Sequence, residues 1–534
     1  MSNLLDKASI VTTPTAYENG KILSVKPNTS VGDFDFTRNS SATRVNSQGL
    51  IEDMQILSGD LVSNGDFSVD GIVNSSSYTL GWYTTDSGIS ISAGKLIITN
   101  GGSVGGRAYG TNGVNSISFI TSGKSYKLVY TIEENNDNAL VSYHNGGSYV
   151  TAPNTVGTHT IYYQAGGTIF ILRNLSANTT IKIDNVSLIE ITEDTNLPRI
   201  DYTGGVGHWL FEPQSTNLLT YSEDFSQENT WVDISVSLES GYLAPDGTNN
   251  AYKVTSTSSS SFLYATGDYT QTTHKSIYAR TLSGTGTISL CNRSSDPNAL
   301  FTITEQWQRF DISHSDTELF YAVDFRASGA TLSEVIIWGA QLEQQSFATS
   351  IIPTEGSIKT RLADAAFGAG SSDLINSTEG VLYAEIAALA NDGTNRIISL
   401  SDGTNTHRVL LAYTAVTNQI QAFSNNGVDT VNLIFTASNV TNFNKIAFKY
   451  KLNDFALWID GAEVSTNSSG TTNVANTLNN FKFENASGTS DFYGKTKCVA
   501  VFKEALTNDE LECLTGEGYD SFNALALANN YTII

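Results

Sequence analysis

Apolar residues recur at every second position in many short runs of this chain, and turn-forming residues separate the runs. "TIKIDNVSLIEI" (180–191), "YKLVYTI" (126–132), "KLIITN" (95–100), "HTIYYQA" (159–165) and "TIFILRN" (168–174) are β-branched and aromatic, bounded by Gly, Asn and Ser. Alternation of this kind puts one set of side chains on a buried face and the other on an open face. It predicts strands throughout 61–191, at the spacing of a β-sandwich.

A second β region, 217–353, repeats the plan. "NLLTYSEDFSQENTWV" parallels "DLVSNGDFSVDG" at its start, "HKSIYARTLSGTGTISLC" and "QWQRFDIS" supply middle strands, and "SEVIIWGAQLE" closes it as "IKIDNVSLIEI" closes the first. Matching order at low identity reads as a divergent internal duplication. From about 358 a third strand-rich region follows, with hairpin turns at Asp402–Gly403, Asn453–Asp454 and Asp460–Gly461. Its one helix is predicted in "EALTNDELECLTGEG", with Thr507 as cap, Glu510 three residues on, Gly516 as stop, and Leu511 and Leu514 against the sandwich. Residues 1–35 hold too little apolar content for a core of their own and are expected to dock on something larger.

Composition supports this reading. At roughly 100–200 residues per domain, 534 residues suggest about three or four domains. Hydrophobic residues make up 40%, enough for packed cores, while charged residues are only 15% and Ser, Thr, Asn and Gly replace them. Such surfaces suit strands more than helices. The net charge of −24 gives no basic footprint, so no nucleic-acid partner is expected. Cys291, Cys498 and Cys513 are too scattered for a disulfide framework or a zinc site and are expected as free thiols. No apolar run is long enough for a membrane span, and the opening residues lack a signal-peptide core. The expectation is a protein made in a bacterial cytoplasm that leaves by a route other than secretion.

Three phrases carry a resemblance. "FTRNSSATRVNSQGLIE", "LFEPQSTNLLTYSEDFS" and "WGAQLEQQSFATSIIPTEG" resemble recurring phrases of bacteriophage virion proteins, chiefly tail or fibre components. In that group they flank a jelly-roll similar to carbohydrate-binding modules, and the final region here resembles a concanavalin A-like (laminin G-type) sandwich. The implied fold class is all-β: tandem antiparallel sandwiches, two jelly-rolls and one concanavalin A-like domain, with a small irregular N-terminal anchor. In similar proteins "GLIE" runs within a few residues into a segment like "PRIDY". Here a complete sandwich pattern intervenes. Residues 59–191 therefore read as an inserted module, 1–58 and 192–212 as one discontinuous anchor, 213–357 as the second jelly-roll and 358–534 as the last sandwich. Arg38 and Arg44 are expected to hold anchor acids such as Asp201 or Glu212. A linear string of domains is the alternative.

Enzymatic signals are weak. The six histidines show no metal-ligand spacing, and there is no Gly-x-Ser-x-Gly elbow or phosphate loop. His208 in "DYTGGVGHW" reads as part of a turn packed under Trp209. Glu223/Asp224, Glu343 and Glu385 could serve a glycosidase only as a facing pair, and no constellation supports them. Sugar binding fits better, since it needs aromatic platforms flanked by hydrogen-bonding side chains. Candidates in the first module are Trp82, Tyr83, Arg107 and Tyr109, which are expected in Gly/Ser-rich loops, with Tyr143 and His144; in the second they are Trp231 and Tyr264. Trp82 reads equally well as core, and Trp307 and Trp338 read as core. Asp402, Asn405, His407 and Arg408 cluster at a hairpin tip. Their acids form no calcium-ligand run, so no cofactor or metal is expected, although the laminin G-type resemblance leaves calcium open.

The expected function is a non-enzymatic virion structural protein that displays β-sandwiches for adhesion to host-surface glycans. Other virion proteins would bind 1–58 and 192–212. A homo-oligomer, a trimer by analogy with fibres, would add avidity. The alternatives are a purely structural decoration or linker protein, a polysaccharide-degrading glycosidase and a bacterial surface adhesin.

Overall fold

Ten short strands of the first β region pair into two sheets. In the computed structural model, which describes residues 4–72, 81–102, 106–114, 116–265, 273–292, 300–314 and 320–516, these are β1 (Trp82–Tyr83), β2 (Ile89–Ser92), β3 (Lys95–Asn100), β4 (Gly106–Gly110), β5 (Ser125–Glu134), β6 (Val141–Asn145), β7 (Ser148–Thr151), β8 (Gly157–Gln164), β9 (Ile171–Asn174) and β10 (Thr179–Ile191). One sheet runs β7-β6-β9-β4-β1 and the other β8-β5-β10-β3-β2. Alternation fills the space between them: Leu96, Ile98, Ala108, Leu128, Leu172, Ile181 and Leu188 are fully buried, with Trp82, Tyr126 and Tyr130 among them. Residues Gln55–Asp194 form one compact unit, and Met1–Met54 with Thr195–Ile534 form the other.

The second β region repeats this topology strand for strand. Its strands are β11 (Trp231–Ile234), β12 (Val236–Tyr242), β13 (Ala251–Ser256), β14 (Phe262–Ala265), β15 (Thr273–Arg280), β16 (Gly286–Asn292), β17 (Leu300–Ile303), β18 (Gln308–His314), β19 (Phe320–Asp324) and β20 (Glu334–Glu343). The sheets run β17-β16-β19-β14-β11 and β18-β15-β20-β13-β12, the first module's orders with ten added to each label.

The shared "DFS" start has a physical reason. In each module the Asp carboxylate accepts bonds from the Ser backbone N–H and hydroxyl, in Asp66/Ser68 and Asp224/Ser226. This turn aims Phe67 at Trp82 (ring centroids 5.3 Å apart) and Phe225 at Trp231 (4.8 Å). Each indole then meets a second Phe edge-on, Phe170 or Phe320, and donates its N–H to a backbone carbonyl, of Asn64 or Tyr221. Gly65 completes the first module's start, because a Cβ there would lie 1.9 Å from the Val186 carbonyl oxygen.

The last region is a larger sandwich. One sheet orders Ile200–Asp201, His208–Phe211, Gly494–Phe502, Glu379–Ala388, Asn444–Lys451, Phe455–Ile459 and Ala462–Asn467. The other orders Thr430–Thr436, Gln419–Asn426, His407–Tyr413, Arg396–Ser401 and Asn480–Lys482. Ala8–Thr12 and His208–Phe211 pair end to end along one edge of Gly494–Phe502. The segments read as an anchor thus add strands to this sandwich, and Ile10, Ile22, Phe34, Phe36, Ile200, Trp209 and Phe211 share its core. The helix spans Asn508–Thr515 with a complete Thr507–Glu510 capping box, and Leu511 and Leu514 are buried.

A buried ionic cluster ties this unit together. Arg199 lies between Asp364 and Glu212; Arg38 also pairs with Asp364 (3.1 Å) and Arg361 with Glu212 (2.9 Å). All five side chains are at most 4% exposed. Ser350 donates its N–H and hydroxyl to Glu212, Arg361 donates to the Pro213 carbonyl, and Arg38 donates to the Leu197 carbonyl. Asn196 accepts from the backbone N–H groups of Arg38 and Asn39. Arg38 therefore holds an acid, but it is Asp364, which lies beyond the second module. Arg44 pairs with Glu52 across its own hairpin, and Asp201 accepts from the Val45 backbone. The two partners differ from the sequence expectation for opposite reasons: Arg38 is met by an acid 326 positions away, and Arg44 by its own cross-strand neighbour.

Burial lowers Arg38 to about 10 despite Asp364, and also lowers Arg361. In Arg199 burial is outweighed by Asp364 and Glu212, so its value is raised. Burial pushes the Glu212 carboxyl up, but Arg361 and Arg199 outweigh it and hold it at about 2, against an ordinary 4.5.

A depressed carboxyl stabilises the fold above its unfolded value and loses that contribution as pH falls through its folded value. Urea unfolding is therefore expected to show about 3 kcal/mol of stability lost between about pH 4.5 and pH 2. Glu212→Gln should remove that acid slope and cost about 3–5 kcal/mol at neutral pH, because two buried guanidinium groups lose a partner. An unchanged urea midpoint would count against this role. In circular dichroism melts, Trp82→Ala and Trp231→Ala should each cost about 3–5 kcal/mol; a loss at only one of the two would deny their equivalence.

Candidate functional site

The outer face of the β7-β6-β9-β4-β1 sheet collects the polar and aromatic residues left by alternation. In β4, Gly106, Ala108 and Gly110 are buried while Arg107 and Tyr109 point the other way. Cross-strand register extends the rows. Tyr109 lies opposite Tyr83 and Ile171, Arg107 opposite Arg173, Arg173 opposite Ser142, and His144 opposite Tyr149. The rings of Tyr83 and Tyr109 meet edge to face at 5.6 Å, and those of His144 and Tyr149 at 5.5 Å.

The charges on this face are unequal. Asp86 accepts from the Arg107 backbone N–H, Nε (2.9 Å) and Nη2 (2.8 Å), which fixes that guanidinium flat and charged. Arg173 has no carboxylate partner among the described residues. Its guanidinium lies 4.5 Å from the centroid of the Tyr149 ring, and its Nε is buried without an acceptor. His144 Nε2 accepts from the Gly147 N–H, which leaves the proton on a buried and unpartnered Nδ1. Burial raises the Tyr109 hydroxyl above its ordinary value, partly offset by Arg107.

Four of the six residues singled out in this module share the face: Tyr83, Arg107, Tyr109 and His144. Trp82 (0% exposed) and Tyr143 (6%) do not, because each neighbours an outward residue and so points into the core. Tyr149, Arg173 and Asp86 went unnoticed in the sequence. The signal for Tyr149 was present: Gly146–Gly147 is a two-residue hairpin turn, and it sets His144 opposite Tyr149.

The second module carries an equivalent face. Tyr264 occupies the position of Tyr109, opposite Val232 as Tyr109 is opposite Tyr83. Tyr264 stacks on Tyr321 (5.4 Å, 23°), and Phe262 packs against both. Arg326 lies 3.8 Å over Phe262 and gives two bonds to the buried Asp324. Trp231 is 2% exposed and belongs to the core with Phe225, so only Tyr264 of this module's two candidates reaches the face. Trp338 is buried, whereas Trp307 is only half-buried, under Arg280, with its indole on the Leu243 carbonyl.

The remaining candidates have structural partners. Glu343 is fully buried and accepts from Ser215 and Thr349; Glu385 is buried 3.5 Å from Lys497. Asp224 serves the "DFS" turn and Glu223 accepts from Asn250. Burial lowers His208 to about 4, against the opposing pull of Asp201, and leaves the imidazole neutral. At the 402–408 hairpin, His407 bonds Asp402 (3.0 Å) and Arg408 bonds Asn405 (2.8 Å). Among the described residues no three His, Cys, Asp or Glu side chains converge as a metal site.

No family model matches the chain, and no curated protein matches it. Similar solved structures include the CBM40 of the Ruminococcus gnavus IT-sialidase bound to α2,3-sialyllactose. It is 18% identical over 26% of this chain and 84% of that one, with a TM-score of 0.24. Domain 4 of AbnA, a GH43 extracellular arabinanase from Geobacillus stearothermophilus in complex with arabinotriose, is 11% identical over 29% of this chain and 73% of that one (TM-score 0.25). The receptor binding domain of botulinum neurotoxin mosaic serotype C/D is 12% identical; the match covers 28% of this chain and 39% of that one (TM-score 0.24). At these scores the likenesses carry no argument about function.

Proposed function

We propose that this chain is a virion structural protein whose β-sandwich modules bind host-surface glycans, with the outer face around Tyr83, Tyr109 and Tyr149 as the principal platform. The observation that carries the reading is this one sheet face. It places three tyrosines beside Arg107, Arg173 and His144, all outside the module's core. A pyranose has apolar C–H faces that stack on aromatic rings and equatorial hydroxyls that accept bonds from guanidinium groups and donate them to carboxylates. Rings fixed on a sheet lose little freedom on binding. The second module offers a further aromatic face around Tyr264, so two platforms per chain support adhesion by avidity, increased again by an oligomer.

The virion part of the reading rests on the three phrases, two of which run through the buried ionic cluster at Arg38 and Glu212. The reading includes no catalytic step, because the candidate carboxylates are engaged inside the fold. A linker protein without a sugar site is the second reading; the closed Arg107–Asp86 and Arg326–Asp324 pairs are what a purely structural face would contain.

Binding of the full chain to host cells is expected to fall about tenfold or more for Tyr109→Ala combined with Tyr149→Ala, a loss of about 1.4 kcal/mol or more. Thermal stability should stay within about 1 kcal/mol of the parent, since both rings lie outside the core. Unchanged binding would favour the linker reading. Immunogold electron microscopy should find the chain on purified particles; its absence there would remove the virion assignment.

A further inference from the structure

Cations in the inserted unit are generally paired. Lys95 meets Asp184 and Glu133, Lys124 meets Glu190, Lys182 meets Glu134, and Arg107 meets Asp86. With 53 acidic against 29 basic residues in the chain, carboxylates are plentiful. Arg173 differs from these four. It has no acidic partner among the described residues, and it lies directly opposite Arg107 on the neighbouring strand. Like charges in that position destabilise a sheet pair, and Asp86 compensates only Arg107. Arg107, Arg173 and Asp86 together carry an excess positive charge, on the face that bears the three tyrosines.

We infer that this face selects an acidic sugar, with Arg173 as the group that recognises the sugar's carboxylate. The inference rests on the glycan reading above and narrows it. A guanidinium takes a carboxylate through two parallel N–H···O bonds, a geometry that an ammonium does not reproduce. Arg173 is already laid on the Tyr149 ring at 4.5 Å, so its plane is held before a ligand arrives. A sugar stacked on the tyrosines would bring a ring carboxylate within reach of it and remove the uncompensated charge. The second module makes the contrast: Arg326 is closed by Asp324, so its aromatic face has no such demand. The two modules would then take different sugars, an acidic one on the first and a neutral one on the second.

The test is titration of the full chain, and of its Arg173→Gln and Arg173→Lys variants, with a panel of polysaccharides. Polygalacturonate, alginate, hyaluronan and polysialic acid supply carboxylates. Fully methyl-esterified polygalacturonate, galactan and dextran supply neutral rings. At least one acidic member should bind, with an affinity that falls at least tenfold in R173Q, is only partly kept in R173K, and weakens in high salt. The R173Q melting temperature should be no lower than the parent's, since the change removes a like charge from opposite Arg107, and this separates recognition from folding. Equal binding of polygalacturonate and its methyl ester, or acidic binding unchanged in R173Q, would overturn the inference. Binding of neutral members only, abolished by Tyr109→Ala, would overturn it too but leave the glycan reading standing. Binding of no member would count against both.

Discussion

Three arginines and two carboxylates buried at one junction hold the larger unit of this protein together. Arg38 comes from the N-terminal segment, Arg199 and Glu212 from the chain just after the inserted unit, and Arg361 and Asp364 from the link between the second jelly-roll and the last sandwich. Such a cluster adds little stability over an apolar core, because desolvation offsets the attraction. What it adds is specificity. Each guanidinium has fixed directions, and a segment that docked out of register would leave a buried charge unpaired. The junction therefore fixes the register in which these segments of the larger unit meet.

The same constraint runs through three polar phrases of the chain. "FTRNSSATR" supplies Arg38 and Thr43, "LFEPQSTN" supplies Glu212, Ser215 and Asn217, and "WGAQLEQQSFATS" supplies Gln341, Glu343, Thr349 and Ser350. These side chains bond one another or the backbone between them: Asn217 bridges the Ala340 and Ile352 carbonyls, and Gln341 accepts from the Ile352 N–H. Polar phrases that look like loops are thus the inside of a junction. Because Asn196 and Leu197 are bound to Arg38 and Asn39, both chain ends that lead to the inserted unit are fixed in the host, and a whole domain can be accommodated between them.

Duplication and divergence share the jelly-rolls between two kinds of residue. The Asp-Phe-Ser turn, its Phe and the Trp it packs on are kept in both modules, because together they close one end of the core. The outer faces differ. One pairs tyrosines with an arginine that has no acidic partner among the described residues, and the other stacks Phe262, Tyr264 and Tyr321 under an arginine paired with Asp324. Positions that fill the core are held by packing, whereas outward positions on the same strands are free of that constraint.

Much of this was legible in the sequence. Alternation marked the strands, repeated order marked the duplication, and the Thr507–Glu510 spacing marked the helix, because all three depend on neighbours close in the chain. The composition of the site could be read in part: Tyr83, Arg107 and Tyr109 stood out, with His144, although the Gly/Ser-rich runs around the first three read as loops and the structure makes them strands. Which of Trp82 and Tyr83, or of Tyr143 and His144, faces outward could not be read. A strand's two faces are equivalent until a second sheet covers one of them, and a shift of one residue exchanges them. Tertiary structure alone decided that parity, and with it the pairing of Arg173 with Tyr149. It alone joined Arg38 to Asp364 across 326 positions of the chain, since a charge has no local signal for a partner that only folding brings near.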